Sequence, residues 1–188
     1  MNKVTQMLLV LTSIGILAGG LLAMVSEWAS PLIAANKKAE TEAAIFRVQS
    51  EGKSYEKINN AGFEVYKVMS ENSQVIGYAL VYEGNGFQGK IRLICGLTED
   101  LEKIKSMEIL EQVETPGLGT KVTETPFTDQ FKQLETSPTV SWVKGVEPDN
   151  PNEIQAITGA TISSKAIVAI INNGLVQMKK LRDAGGLK

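Results

Sequence analysis

The sequence predicts an α+β protein in which an N-terminal transmembrane helix precedes one domain, an antiparallel sheet with packed helices. Three observations predict this. Val4–Val25 is an uncharged apolar run, four β-like runs follow one another between Phe63 and Leu110, and apolar residues recur at helical spacing from Ile162 to Leu181. Strands in succession and then helices, rather than strict alternation, mark the α+β class.

The apolar run, VTQMLLVLTSIGILAGGLLAMV, would span about 33 Å as a helix, enough for a hydrocarbon core of roughly 30 Å. Gly15 and Gly19 have the small-residue spacing that lets a neighbouring membrane helix approach. A cleaved signal peptide would be shorter and would end at a small-x-small site. Here the end reads Ala23, Met24, Val25, Ser26, so the run is read as an anchor over residues 1–26. Lys3 favours a cytoplasmic N-terminus, and Trp28 suits the far interface. The C-terminal body is then expected outside the cytoplasm. Residues 27–50, rich in helix formers from Ala34 onward, predict a membrane-proximal helix or linker, leaving residues 51–188 as the domain.

Within the body, Phe63–Met69, Val75–Tyr82, Lys90–Leu97 and Ile104–Leu110 read as consecutive strands. A turn at Gly84-Asn85-Gly86 predicts a hairpin between the second and third. A loop, Glu114–Gly119, is punctuated by Pro and Gly, and a short helix over Pro126–Leu134 has Thr125 as its cap. A strand over Thr139–Val143 follows. Ile167, Ile171, Leu175, Met178 and Leu181 then share one face of the last helix.

The composition excludes much chemistry. With no histidine among 188 residues, a Ser-His-Asp or Cys-His set is impossible. One cysteine, Cys95, leaves no intrachain disulfide, no Cys/His zinc site of the usual kind and no Cys-ligated iron–sulfur cluster held by this chain alone. Cys95 reads as a small buried hydrophobe, and Trp142 as a core residue. A net charge of −2 gives no case for nucleic acid as a partner. Neither catalytic nor metal-ligating residues are assigned, and any redox cofactor is expected to be organic.

The candidate site is the start of the last helix, Thr158-Gly159-Ala160-Thr161-Ile162-Ser163-Ser164. A helix start carries N–H groups without intrahelical partners and favours an anion such as phosphate. Hydroxyls there also serve as simple caps, and the residues alone leave both readings open. Thr115-Pro116-Gly117-Leu118-Gly119 suits a type II turn. Lys144 is either an exposed lysine or a phosphate contact.

Thr158-Gly159-Ala160-Thr161 resembles the flavinylation motif of the FMN-binding domain family, Asp-x-x-(Ser/Thr)-Gly-Ala-(Thr/Ser). Glu114-Thr115-Pro116-Gly117-Leu118-Gly119 resembles the His-x-Glu-Thr-Pro-Gly-Leu-Gly loop of the G subunits of Rnf-type electron transport complexes. The chain departs from these patterns at Gln155, where the family has Asp, and at Gln112, where it has His. Anchor, Gly-rich hairpin, loop and motif come in the same order, so the resemblance covers nearly the whole chain. The related C component of sodium-pumping NADH:quinone reductase shares the motif but is usually longer.

The resemblance implies FMN esterified through its phosphate to the Thr161 hydroxyl by a separate flavin transferase. It implies that Thr158, Gly159, Ala160, Ser163, Ser164 and Lys144 lie around the phosphate. Glu114, Thr115, Gly117, Leu118 and Gly119 would hold the isoalloxazine ring. The implied function is an electron carrier in a membrane complex coupling ferredoxin–NAD electron transfer to Na+ or H+ translocation. Its implied partners are the other membrane and peripheral subunits, the transferase and membrane lipid. Two rival readings are an anchored accessory or ligand-sensing module, whose Thr161 is only a cap, and a flavin subunit of another respiratory reductase.

Overall fold

A computed structural model describes residues 2–59 and 61–187. The chain divides into two units, residues 1–40 and residues 41–188. The first unit is the greater part of helix α1 (Lys3–Val48), which contains Pro31 without being interrupted by it. Large apolar side chains from Val4 to Ile33 are exposed all round this helix, and none of its most apolar stretch is buried by protein. A helix apolar on every side suits lipid rather than one face of a core. It is the single transmembrane segment that the uncharged run predicts.

The second unit is built on a six-stranded antiparallel meander. Its strands are β1 (Ser54–Lys57), β2 (Val65–Met69), β3 (Val75–Asn85), β4 (Lys90–Leu97), β5 (Lys103–Gln112) and β6 (Leu134–Glu135), in that spatial order. Helix α3 (Thr161–Asp183) covers one face of the sheet, and the last turns of α1 cover the other. Side chains alternate along β4 accordingly. Ile91, Leu93 and Cys95 join Ile167, Ile171 and Leu175 of α3, whereas Ile94 joins Ala44, Ile45 and Val48 of α1. A strand covered on both faces becomes a nearly continuous apolar run, which is how Lys90–Leu97 reads. Cys95 is buried as expected, and burial pushes its thiol pKa up, leaving it inert.

Polar contacts fix the last turns of α1 to the sheet. The Gln49 amide donates from Nε2 to the carbonyls of Tyr78 and Leu97, at 2.9 and 2.8 Å. Arg47 makes a two-pronged ion pair with Glu108 at 2.8 Å, and Arg92 bonds both Thr41 Oγ1 and Glu64 at 2.9 Å. The approach is close at Gly96, where an added Cβ would stand 2.2 Å from the Val48 carbonyl oxygen. Gly96→Ala must therefore push α1 off the sheet. Overpacking of this kind costs about 1–3 kcal/mol, and the variant is expected to show it as a lower urea midpoint with unchanged m.

Several elements differ from the sequence reading. β3 and β4 stay paired through Asn85–Lys90, so the hairpin tip is residues 86–89 rather than Gly84-Asn85-Gly86. Gly84 is small for another reason: a Cβ there would lie 2.6 Å from Ile170 of α3. The expected Pro126–Leu134 helix is only α2 (Thr125–Thr128) and a 3-10 turn, Asp129–Phe131. Its N-cap is Glu124 rather than Thr125, and Pro126 lies in the first turn. Gln133 has φ +59, which ends the helical path and turns Leu134 into β6 against Ile104. The strand expected over Thr139–Val143 is β7 (Ser141–Lys144), paired in parallel with β8 (Glu153–Ala156), a strand the sequence does not announce.

Candidate functional site

β8 leads directly into the candidate loop, and α3 begins at Thr161. The residue before the helix is Ala160, which makes no side-chain capping bond. The cap reading of Thr158 and Thr161 is therefore not what the geometry shows. Ser164 shapes the turn instead: its Oγ accepts from Ile157 N–H at 3.1 Å and donates to the Ala160 carbonyl at 3.0 Å. Gly159 has φ +88, a left-handed conformation that glycine adopts freely. The half-buried Thr161 hydroxyl reaches only the Ile157 carbonyl, at a long 3.4 Å. Behind the loop the Gln130 side chain clamps the backbone of Gln155, accepting from its N–H at 2.6 Å and donating to its carbonyl at 3.2 Å.

The Pro/Gly loop forms the opposite wall. Thr115-Pro116-Gly117-Leu118 is a type II turn, with Gly117 at φ +75 and Leu118 N–H donating to the Thr115 carbonyl at 3.2 Å. The neighbouring Glu114 is 4% exposed. Its carboxylate accepts from the Ser163 hydroxyl at 2.5 Å and from Gln88 N–H at 3.1 Å, and so joins helix α3 to the β3–β4 hairpin tip. Gly119 and Gly86 make room for it, since a Cβ on either would stand 3.0 Å or less from Glu114. Gln112 has a local role here, accepting from Glu114 N–H at 2.6 Å.

Between these walls lies a cleft of about 300 Å³. Of the residues named from the sequence, Glu114, Thr115, Leu118, Gly119, Lys144, Gly159, Ala160, Thr161 and Ser163 all line it. Three do not. Thr158 faces a different groove, of about 270 Å³, with Gln130 and Gln155; Gly117 is exposed in its turn; and Ser164 is buried behind the loop. Lys144 is exposed at the end of β7 and still borders the cleft, so its two readings are compatible. Trp142 packs against the core, with Lys165 Nζ 4.8 Å from its ring centroid. The sequence reading misses Phe87 and gives Ile162, within the candidate helix start, no role; both lie on the cleft wall. Among the described residues no group of three or more His, Cys, Asp or Glu side chains could hold a metal ion.

The cleft brings together the uncapped start of α3, the Thr161 hydroxyl, Lys144 and the Glu114 carboxylate. Phe87, Leu118 and Ile162, each half or more exposed, supply its apolar lining. A ligand with an anionic group and an apolar body fits these residues.

The model of the FMN-binding domain family matches residues 86–176, from the hairpin tip into α3. The chain is 30% identical over 163 residues to the G subunit of the proton-translocating ferredoxin:NAD(+) oxidoreductase complex of Clostridium ljungdahlii, covering 86% of this chain and 84% of that one. The chain belongs to the family of these G-type proteins, and its residues 86–176 carry the match to the FMN-binding domain. A further G-type relative, from the ion-translocating oxidoreductase complex of Methanosarcina acetivorans, is 34% identical over 110 residues, 58% of this chain. That match spans 55% of the Methanosarcina protein, so the chain spans about half its length. The same fold recurs in the crystal structure of the C component of the Na(+)-translocating NADH-quinone reductase from Parabacteroides distasonis. The TM-score is 0.62 at 19% identity, covering 78% of this chain and 94% of that one. The α+β class expected from the sequence is thereby borne out.

Proposed function

We propose that this chain is an electron carrier whose FMN is joined by a phosphoester to the Thr161 hydroxyl, and that it works in a membrane complex. The complex would couple electron transfer between ferredoxin and NAD to Na+ or H+ translocation. One observation carries the reading: residues distant in sequence, from the hairpin tip, the Glu114–Gly119 loop, β7 and the start of α3, converge on one cleft around a hydroxyl with only a long hydrogen bond.

Bound FMN would supply redox chemistry in one- and two-electron steps. The chain's own residues bind and orient it. The start of α3 and Lys144 face the phosphodiester, and the helix dipole favours its negative charge. Gly159 lets the phosphate come near the backbone. The Leu118 side chain and the loop amides hold the ring edge, while Glu114 fixes the spacing of the two walls through Ser163 and Gln88. No substrate need bind, and the absence of histidine fits a relay in which the protein itself performs no acid–base step. The G-type relatives support membership in a multisubunit complex. Attachment by a flavin transferase, contact with membrane lipid and a domain outside the cytoplasm complete the proposal.

Mass spectrometry of the intact protein from its native host tests this. The expected spectrum shows a single FMN adduct that maps to the peptide containing Thr161. An unmodified peptide from native membranes would reject the electron-carrier reading. Purification under mild detergent is expected to bring multi-span subunits with the chain.

A further inference from the structure

Phe87 is the one cleft-lining aromatic side chain among the described residues, and it is 63% exposed at the hairpin tip. The tip itself is firmly held. Gly86 N–H donates to the Gly89 carbonyl at 2.7 Å, Gln88 N–H donates to Glu114, and Thr115 Oγ1 donates to Gln88 Oε1 at 3.0 Å. Gly86 and Gly89 carry no Cβ where one would meet Glu114 or Val113 at 2.3 Å, so the tip lies flat against the loop. A large aromatic side chain is thus held at the cleft and left without a partner for most of its surface. Leu118 and Ile162, 50% and 56% exposed, come to the same cleft from the loop and from α3. Apolar exposure shared by three separate segments around one cleft marks a binding surface rather than chance.

We propose that Phe87 is a ring-contact residue, packing its aromatic face on the isoalloxazine system and shielding it from water. The inference rests on the FMN reading above and adds to it a residue that no sequence motif marks. Aromatic pairs of this kind favour offset-stacked or edge-on geometry with centroids about 4.5–7 Å apart. Phe87 takes no part in the attachment chemistry, which belongs to Thr161.

The test uses the full-length chain purified from its native membranes, with Phe87 replaced by Trp, Tyr, Leu or Ala. Indole and phenol side chains in contact with a flavin quench its emission by electron transfer, which a benzyl side chain does not do. F87W and F87Y are expected to lower native emission per flavin several-fold, while emission after denaturation equals that of wild type. F87A is expected to raise quenching by added iodide and to blur the vibronic shoulders of the visible band, and F87L to do so less. All four variants should keep the covalent label on a denaturing gel. Labelled F87W and F87A with unchanged native emission and iodide access would overturn the assignment of Phe87 while leaving the FMN reading intact. A wild-type chain without flavin would overturn the FMN reading, and this inference with it.

Discussion

Thr161→Ala is expected to yield a full-length, folded protein with no flavin fluorescence on a denaturing gel. The effect should be all or none because no neighbouring hydroxyl can substitute. Ser163 is buried and donates to Glu114; Ser164 is fully buried and engaged at both ends by Ile157 and Ala160. Thr158 faces the other groove. Thr161 alone combines a place on the cleft wall, partial exposure and a hydroxyl with only a long hydrogen bond. Thr161→Ser should keep the band. Ser163→Ala and Ser164→Ala should keep it too, while losing about 1–3 kcal/mol of stability as buried partners are left unsatisfied. A band that survives in Thr161→Ala would remove the assigned attachment point.

The second large effect concerns where the domain begins. Ala44, Ile45 and Val48 lie under the sheet, and Gln49 bonds two of its carbonyls. A chain shortened to start at Asn36 should be soluble and unfold cooperatively. One shortened to start at Glu51 loses that cover and exposes Tyr66, Val68, Ala79, Val81 and Ile94. Burial of Ile45 and Val48 contributes about 1.5–3 kcal/mol each, against a typical domain stability of roughly 5–15 kcal/mol. With an apolar sheet face also uncovered, the shorter chain is expected to aggregate or to bind a hydrophobic dye. Equal urea midpoints for the two chains would show that the α1 turns contribute nothing.

Much of this architecture was legible. The membrane helix, β2 to β5 and α3 follow from an uncharged run, β-like runs separated by turns, and helical spacing, each long enough to outweigh local noise. What escaped notice was short or polar. Ser-Tyr-Glu-Lys in β1, Leu-Glu in β6 and Glu-Ile-Gln-Ala in β8 carry too few apolar residues to show a period, and their pairing is decided by neighbours. Phe127 and Phe131 are spaced like a helix and pack edge to face at 5.4 Å, yet the positive φ of Gln133 ends that path. In the cleft, Thr161 and the Pro/Gly loop stand out because glycine and hydroxyl clusters are unusual. Phe87 does not, since an aromatic residue in a turn has no pattern until the fold sets it beside Leu118.

Ser164 ties the turn that presents Thr161 to the chain's own backbone, so its shape depends on no bound ligand. Under the attachment proposed above, maturation would act on a folded scaffold, and a modifying enzyme would meet a preformed epitope instead of a nascent peptide.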